Sequence, residues 1–231
     1  NHMTVDPEWI WFVPDDDLPS EDCIKEIRAA ASIADRVGAN VIHIPCVLID
    51  GFDKHTSKRE SWPSVEASDD FYLQQLKGSR MGLSLGNAVF RYSAFHRTGG
   101  FISLPRAWGS DHATVLSVAG GGPIVTLPSA SFYFRMSGLN ISSDKTDSSE
   151  KLEARVIFAQ FLKKSCPSWY VGESVTELLL WFYYKSEYYA CEEWGFKKED
   201  SRKLFQIAEI CGAPRSKAQK LTILFKGYVN K

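Results

Sequence analysis

The chain has 231 residues, of which 44% are hydrophobic and 24% charged, and its formal net charge at pH 7 is −1. This composition excludes a disordered chain, and a chain of this length needs no disulfide or metal to stabilise its core. The sequence contains no run of 18 apolar residues, which argues against a membrane-spanning helix. Five cysteines without a C-x-x-C pair are typical of free thiols in a reducing compartment, so we expect an intracellular, cytoplasmic protein.

The N-terminal third predicts a strand, a helix and a second strand. Residues 1–3 are typical of a cleaved expression tag, so they are left out of the fold prediction. Aromatic and β-branched residues at 8–13 predict a buried strand, and residues 20–38 predict a helix that ends at Gly38. A second strand is predicted at 40–49, interrupted by Pro45. This order is typical of a βαβ unit, so the two strands should be parallel.

The middle third predicts mainly antiparallel strands. Residues 51–68 are polar and predict an exposed loop, and residues 69–77 predict a short helix. Alternating apolar residues then predict strands at 89–95, 101–104, 112–118, 124–127 and 131–136. The three glycines at 120–122 predict the turn of a hairpin.

The last third changes to a helical pattern after a Ser/Asp-rich spacer at 141–149. Leu152, Val156, Ala159 and Leu162 share one face of a predicted helix at 150–164. Further helices are predicted at 173–191, 200–211 and 216–229. The sequence therefore predicts an α+β fold, in which an N-terminal βαβ unit with antiparallel strands (4–145) packs as one compact unit with a C-terminal helical bundle (146–231).

Clustered carboxylates form the first candidate site. Asp15, Asp16 and Asp17 follow the first predicted strand, and Asp50 follows the second. Ligands of open parallel sheets bind beyond the carboxyl ends of the strands, so these side chains should converge there. Carboxylate oxygens are the ligands that Mg²⁺ prefers, which would suit a Mg-dependent phosphoryl-transfer enzyme or nuclease. Acidic residues before a helix are also ordinary turn composition.

A thiol site is the second candidate. The segment from Asp111 to Val118 resembles the histidine strand of papain-like enzymes, and this resemblance implies a cysteine hydrolase with His112 as its base. Cys23 lies in the first turn of a predicted helix, where the helix dipole lowers a thiol pKa, and Cys46 lies within a predicted strand. The alternative is a pair of buried cysteines and a surface histidine.

A basic, aromatic-lined surface is the third candidate. Between Lys197 and Lys231 nine Lys/Arg residues stand against three Asp/Glu, and aromatic residues alternate with arginines at 90–108. Aromatic rings stack on bases and cations contact phosphates, so this pattern predicts binding of single-stranded nucleic acid such as RNA. The predicted contacts are Arg91, Arg97, Arg106, Lys197, Lys198, Arg202, Lys203, Arg215, Lys217 and Lys220.

Because none of these patterns forms a complete catalytic motif, the sequence favours a non-enzymatic binding or scaffold protein. Its expected partner is single-stranded nucleic acid or another protein, and no membrane partner is expected. The hydrolase and the Mg-dependent enzyme remain the alternatives. The sequence names no cofactor and leaves the oligomeric state open.

Overall fold

The structure is a computed structural model that describes residues 6–76, 83–136, 148–165 and 201–210. Its strands are β1 (Trp9–Trp11), β2 (Leu18–Pro19), β3 (Val41–His43), β4 (Cys46–Ile49), β5 (Val65–Ala67), β6 (Ala88–Arg91), β7 (Pro123–Thr126) and β8 (Phe132–Arg135). Its helices are α1 (Cys23–Val37), α2 (Ser68–Leu76), α3 (Tyr92–Arg97), α4 (Ser110–Ala119), α5 (Ser148–Ser165) and α6 (Ser201–Ile210). The described residues thus confirm the predicted α+β class.

The described residues fall into two compact units. Residues 6–102 and 114–136 form the first unit, and residues 103–113 with α5 and α6 belong to the second. The boundary predicted near residue 145 lies outside the described ranges, so the division into blocks at 4–145 and 146–231 stays a prediction. No helix in the described ranges combines the length and hydrophobicity that crossing a bilayer requires.

A five-stranded mixed sheet forms the centre of the first unit, in the order β1-β6-β3-β7-β5. β1 and β3 both pair antiparallel with β6 and therefore run in the same direction, as the βαβ prediction requires. They are not neighbours, however, because β6 lies between them. Such a long-range insertion cannot be read from the local pattern of 8–49.

α1 covers this sheet with a narrow face of small residues. Ala30 and Ala34 are buried and pack in one core with Ile42, Val89 and Val125 of the sheet. The helix ends where predicted, because Gly38 has a φ of 71° and the chain can turn in the left-handed conformation there.

Two predicted strands of the middle third are wrong. Residues 112–118 lie in α4 and residues 101–104 form no strand. The strand predicted at 89–95 ends at Arg91, after which the chain forms α3. Gly120 and Gly121, with φ of 59° and 79°, follow the last turn of α4 and do not close a hairpin. β7 pairs parallel with β3 and antiparallel with β5.

A second, three-stranded sheet has the order β2-β8-β4. It arises because the strand predicted at 40–49 breaks at Pro45, so β3 joins the large sheet and β4 joins the small one. β2 pairs antiparallel with β8, and β4 pairs parallel with β8. The end of β8, the end of β4 and the start of β2 therefore lie at the same edge of this sheet.

The predicted core face of α5 is confirmed in the second unit. Leu152, Val156, Ala159 and Leu162 are all buried. α6 confirms the helix predicted at 200–211, and Lys203 donates from Nζ to the carbonyl oxygen of Ser149 at 2.8 Å. The helices predicted at 173–191 and 216–229 lie outside the described residues.

Candidate functional site

Four aspartates and one arginine meet at the shared edge of the small sheet. Asp16 and Asp17 come directly before β2, Asp50 comes directly after β4, and Arg135 is the last residue of β8. Of the predicted acids, Asp16, Asp17 and Asp50 therefore lie at this end of the small sheet, and not between parallel neighbours of one βαβ unit.

Arg135 connects these segments. Its Nε donates to the carbonyl oxygen of Asp16 at 2.7 Å, and its Nη1 donates to the carbonyl oxygen of Asp50 at 3.3 Å. The same Nη1 forms an ion pair with the Asp53 carboxylate at 2.5 Å. One guanidinium group thus ties the loop before β2 to the loop after β4. Arg135 was not predicted from the sequence, because both loops that it connects lie more than eighty residues away along the chain.

Asp17 has a structural role. Its Oδ1 accepts the backbone N–H of Arg135 at 2.9 Å, and the residue is 5% exposed. Burial raises the pKa of the Asp17 carboxyl group, and the hydrogen bond from Arg135 opposes that rise. Its carboxylate therefore fixes the register between the loop before β2 and the end of β8.

Asp50 also has a structural role, within a turn. Its Oδ1 accepts the backbone N–H groups of Phe52 and Lys54 at 2.9 and 3.0 Å, which closes a tight turn. These hydrogen bonds lower the pKa of the Asp50 carboxyl group below its usual value. Asp53, at the end of the turn, has the left-handed φ of 63°, which is unusual for a residue with a Cβ.

Asp15 and Asp16 are exposed to solvent at this edge, as is Asp53, but the Asp53 carboxylate is paired with Arg135. Within the described ranges, no group of three or more His, Cys, Asp or Glu side chains is arranged to hold a metal ion. Mg²⁺ in enzymes is commonly held by one or two carboxylates, with substrate phosphates and water completing its shell. The donor set of Asp15 and Asp16 fits that kind of site. We call Asp15, Asp16, Asp17, Asp50, Asp53 and Arg135 the acidic site.

The thiol candidates lack the environment of a nucleophile. Burial raises the pKa of the Cys23 thiol, against the expectation that the start of α1 would lower it. Burial raises the pKa of Cys46 to about 12. His112 lies in α4 and not on a strand, and its backbone N–H donates to the Asp111 carboxylate at 2.8 Å. The expectation of an activated thiolate at Cys23 is therefore wrong, and the histidine strand is a helix.

The described members of the predicted basic surface belong to both units. Arg91 packs over the Trp9 ring with its guanidinium carbon 4.4 Å from the ring centre, and it forms ion pairs with Glu8 and Asp35. Arg97 is exposed in the first unit, whereas Arg106, Arg202 and Lys203 belong to the second. The remaining five, Lys197, Lys198, Arg215, Lys217 and Lys220, lie outside the described residues.

A cavity of about 620 Å³ opens near the amino-terminal end of β1 and is lined by Glu8, Arg91, Tyr92 and His96 among others. The acidic site follows the opposite, carboxyl-terminal end of this strand, so the cavity is a separate feature. Its arginine is already engaged by Glu8 and Asp35.

No family model matches the chain, and no curated protein matches it. Solved structures of S. aureus TarS, a glycosyltransferase, do match it in fold. TarS 1–349 in complex with UDP-GlcNAc superimposes with a TM-score of 0.60 at 15% identity, over 95% of this chain and 65% of that chain. TarS 1–349 without a named ligand gives a TM-score of 0.54 at 13% identity, over 95% and 64% of the two chains.

The chain thus spans just under two thirds of the length of these TarS structures. The shared fold contradicts the predicted non-enzymatic scaffold that binds single-stranded nucleic acid or RNA, because the matching structures are those of an enzyme that binds a UDP-sugar. The cysteine-hydrolase and Mg-dependent phosphoryl-transfer or nuclease alternatives receive no support from this comparison.

Proposed function

We propose that this chain carries the acidic, donor-binding site of a glycosyltransferase that uses a UDP-sugar. The observation that supports this proposal is the pair of solvent-facing carboxylates, Asp15 and Asp16, presented beyond the carboxyl end of β1 in a fold shared with a UDP-GlcNAc-binding enzyme. The donor's diphosphate is the group that these carboxylates would meet through a shared divalent cation.

In the proposed reaction an acceptor hydroxyl oxygen bonds to the anomeric carbon of the sugar. The bond between that carbon and the diphosphate oxygen breaks, UDP leaves, and the hydroxyl proton passes to a base. A divalent cation, when bound, stabilises the negative charge that develops on the departing diphosphate. Asp15 and Asp16 would hold the cation, because a free diphosphate and two carboxylates would otherwise repel each other.

The other residues of the acidic site have positioning roles in this proposal. Arg135 fixes the peptide of Asp16, and buried Asp17 fixes the backbone of Arg135. The backbone that carries the Asp16 carboxylate is therefore held in place before a donor binds, which reduces the reorganisation that stabilising the developing charge requires.

Calorimetric titration of UDP in the presence and absence of Mg²⁺ or Mn²⁺ tests the proposal. We expect cation-dependent binding of UDP, and we expect Asp16→Asn and Asp15→Asn each to weaken it by roughly tenfold, about 1.4 kcal/mol. Asp70→Asn is the matched control, because Asp70 is an exposed carboxylate in the first turn of α2 and does not belong to the acidic site. Its UDP affinity should stay within about twofold of wild type. Binding that is absent, insensitive to EDTA, or unchanged in both ligand variants would refute the proposal.

A further inference from the structure

Exposed apolar side chains surround the acidic site. Val13, Leu18, Phe52 and Met136 are 45%, 42%, 93% and 49% exposed, and each lies within two residues of an acidic-site residue along the chain. Single exposed apolar residues are ordinary, but a group of them around a polar site is typical of a binding surface.

Phe52 is held out by a well-defined loop. The turn that carries it is closed by the Asp50 carboxylate, by a hydrogen bond from the Asp50 N–H to the Lys54 carbonyl at 3.0 Å, and by the Asp53–Arg135 ion pair. The bridge between Ile49 and His55 closes the base of the loop. The backbone that carries this exposed aromatic ring is therefore well defined, and the ring itself is presented to solvent.

A pair of aromatic rings lies at the base of the same loop. The His55 and Tyr133 rings are 5.1 Å apart at an interplanar angle of 31°. Tyr133 is the direct cross-strand partner of Leu18, so Leu18 and Tyr133 lie on the same face of the small sheet. A partly exposed tyrosine and an exposed histidine, both aromatic with a polar edge, therefore lie at the base of the loop that carries Asp50 and Asp53.

The charges narrow the ligand class. Asp15, Asp16, Asp50 and Asp53 supply four carboxylates around this surface, whereas Arg135 and Lys54 supply two cations, one of them paired. A polyanionic ligand that brings no neutralising cation would meet like charge here. An uncharged polyhydroxylated ligand would not, because its hydroxyl groups donate to carboxylates and its C–H faces pack on aromatic rings.

We propose that the surface formed by Leu18, Phe52, His55 and Tyr133 binds the acceptor, and that the acceptor is an uncharged saccharide whose pyranose ring packs on Phe52. The assignment of the saccharide as the acceptor rests on the proposed function, but saccharide binding itself can be measured without any transfer reaction. Phe52 acts here as a specificity residue and not as a catalytic residue.

Titration of chitotriose, followed by NMR in the presence of Mg²⁺ and UDP, tests the inference. We expect wild type to bind chitotriose, Phe52→Ala to weaken that binding about tenfold, and Phe52→Tyr to restore most of it. Ile24→Ala is the control, because Ile24 is 53% exposed on α1 and away from the acidic loops. Sulfated chitotriose, which has the same ring skeleton with added negative charge, should bind more weakly than chitotriose.

Absence of chitotriose binding, equal affinity of Phe52→Ala and wild type, or preference for the sulfated form would each overturn the inference. UDP titration of the same variants separates the two proposals, since Phe52→Ala should bind UDP within about twofold of wild type. If wild type does not bind UDP but binds chitotriose in a way that depends on Phe52, the glycosyltransferase proposal is refuted and the saccharide site is retained.

Discussion

Replacement of Arg135 by methionine should loosen the acidic site and destabilise the first unit together. The guanidinium group is only 20% exposed and donates to two backbone carbonyls and one carboxylate from two loops. Methionine retains much of the apolar stem but none of the donors. The loop before β2 would keep the hydrogen bond between the Asp17 carboxylate and the backbone N–H of residue 135, but every bond from the guanidinium group to the two loops would be lost.

The magnitude follows from the exposure of each partner. The two bonds to backbone carbonyls contribute about 1–1.5 kcal/mol together, because a typical hydrogen bond adds only about 1 kcal/mol net and one of these is long. The Asp53 carboxylate is 62% exposed, so solvent screening limits its ion pair to about 0.5 kcal/mol. Arg135→Met should therefore lower the free energy of unfolding by about 2 kcal/mol, equivalent to ~5 °C in melting temperature for a chain of this size.

Urea unfolding followed by tryptophan fluorescence measures the stability, and UDP titration measures the site. Arg97→Met is the matched control, because Arg97 is exposed in the last turn of α3, and its effect should stay within about 0.5 kcal/mol. Arg135→Lys should fall between wild type and methionine, since an ammonium group cannot reach both loops in the planar geometry of a guanidinium. The reasoning is refuted if Arg135→Met is as stable as the control and binds UDP as wild type does.

Three further predictions concern the first unit. Burial disfavours the ionised Glu26 carboxylate, but hydrogen bonds from Ser129 and Ala130 outweigh burial and hold its pKa below the usual 4.5. The stabilisation from the ionised carboxylate is thus present above about pH 4.5 and lost as pH falls through the lowered pKa. Glu26→Gln should therefore narrow the difference in unfolding free energy between pH 7 and pH 3, and parallel pH profiles of the variant and wild type would contradict this. Cys46, with a pKa of about 12, should resist iodoacetamide at pH 8 in the folded protein and react in urea, as read by peptide mass spectrometry; rapid native labelling would contradict its burial. A Cβ at Gly86 would lie 2.2 Å from the Phe132 ring, so Gly86→Ala should cost about 1–3 kcal/mol in thermal unfolding, and a neutral result would show that the ring can move freely.

Much of the fold follows from local patterns that the sequence displays. The face of α5 was predicted correctly because one side of that helix is buried and the other exposed, so its apolar residues recur at helical spacing. α4 was predicted as a strand because it is buried nearly all round. Its Ala113, Val115, Leu116 and Val118 are all buried, so the helical period disappears and β-branched residues dominate.

The site could be predicted only in part. The positions of Asp15–Asp17 and Asp50 after predicted strands indicated that they lie at one end of a sheet. Those positions did not indicate which of the carboxylates bind backbone N–H groups and which face solvent. Asp17 and Asp50 are taken up by backbone N–H groups, and this depends on pairings across more than eighty residues and on the turn at 50–54. Arg135 and Phe52 were missed for the same reason, since neither belongs to a local motif.

The two outer strands of the large sheet differ in how they are protected against added strands. β5 carries Glu66 at its centre, and a charge on an edge strand discourages pairing with another chain. β1 reads Trp-Ile-Trp without a charge, and within the described residues its pairing is with β6 on one side. In the part of the chain that the structure describes, no strand pairs with the backbone groups of Trp9 and Trp11 that face away from β6. Self-association at high protein concentration should therefore begin at β1, and its extent should rise with concentration and not with loss of the acidic site.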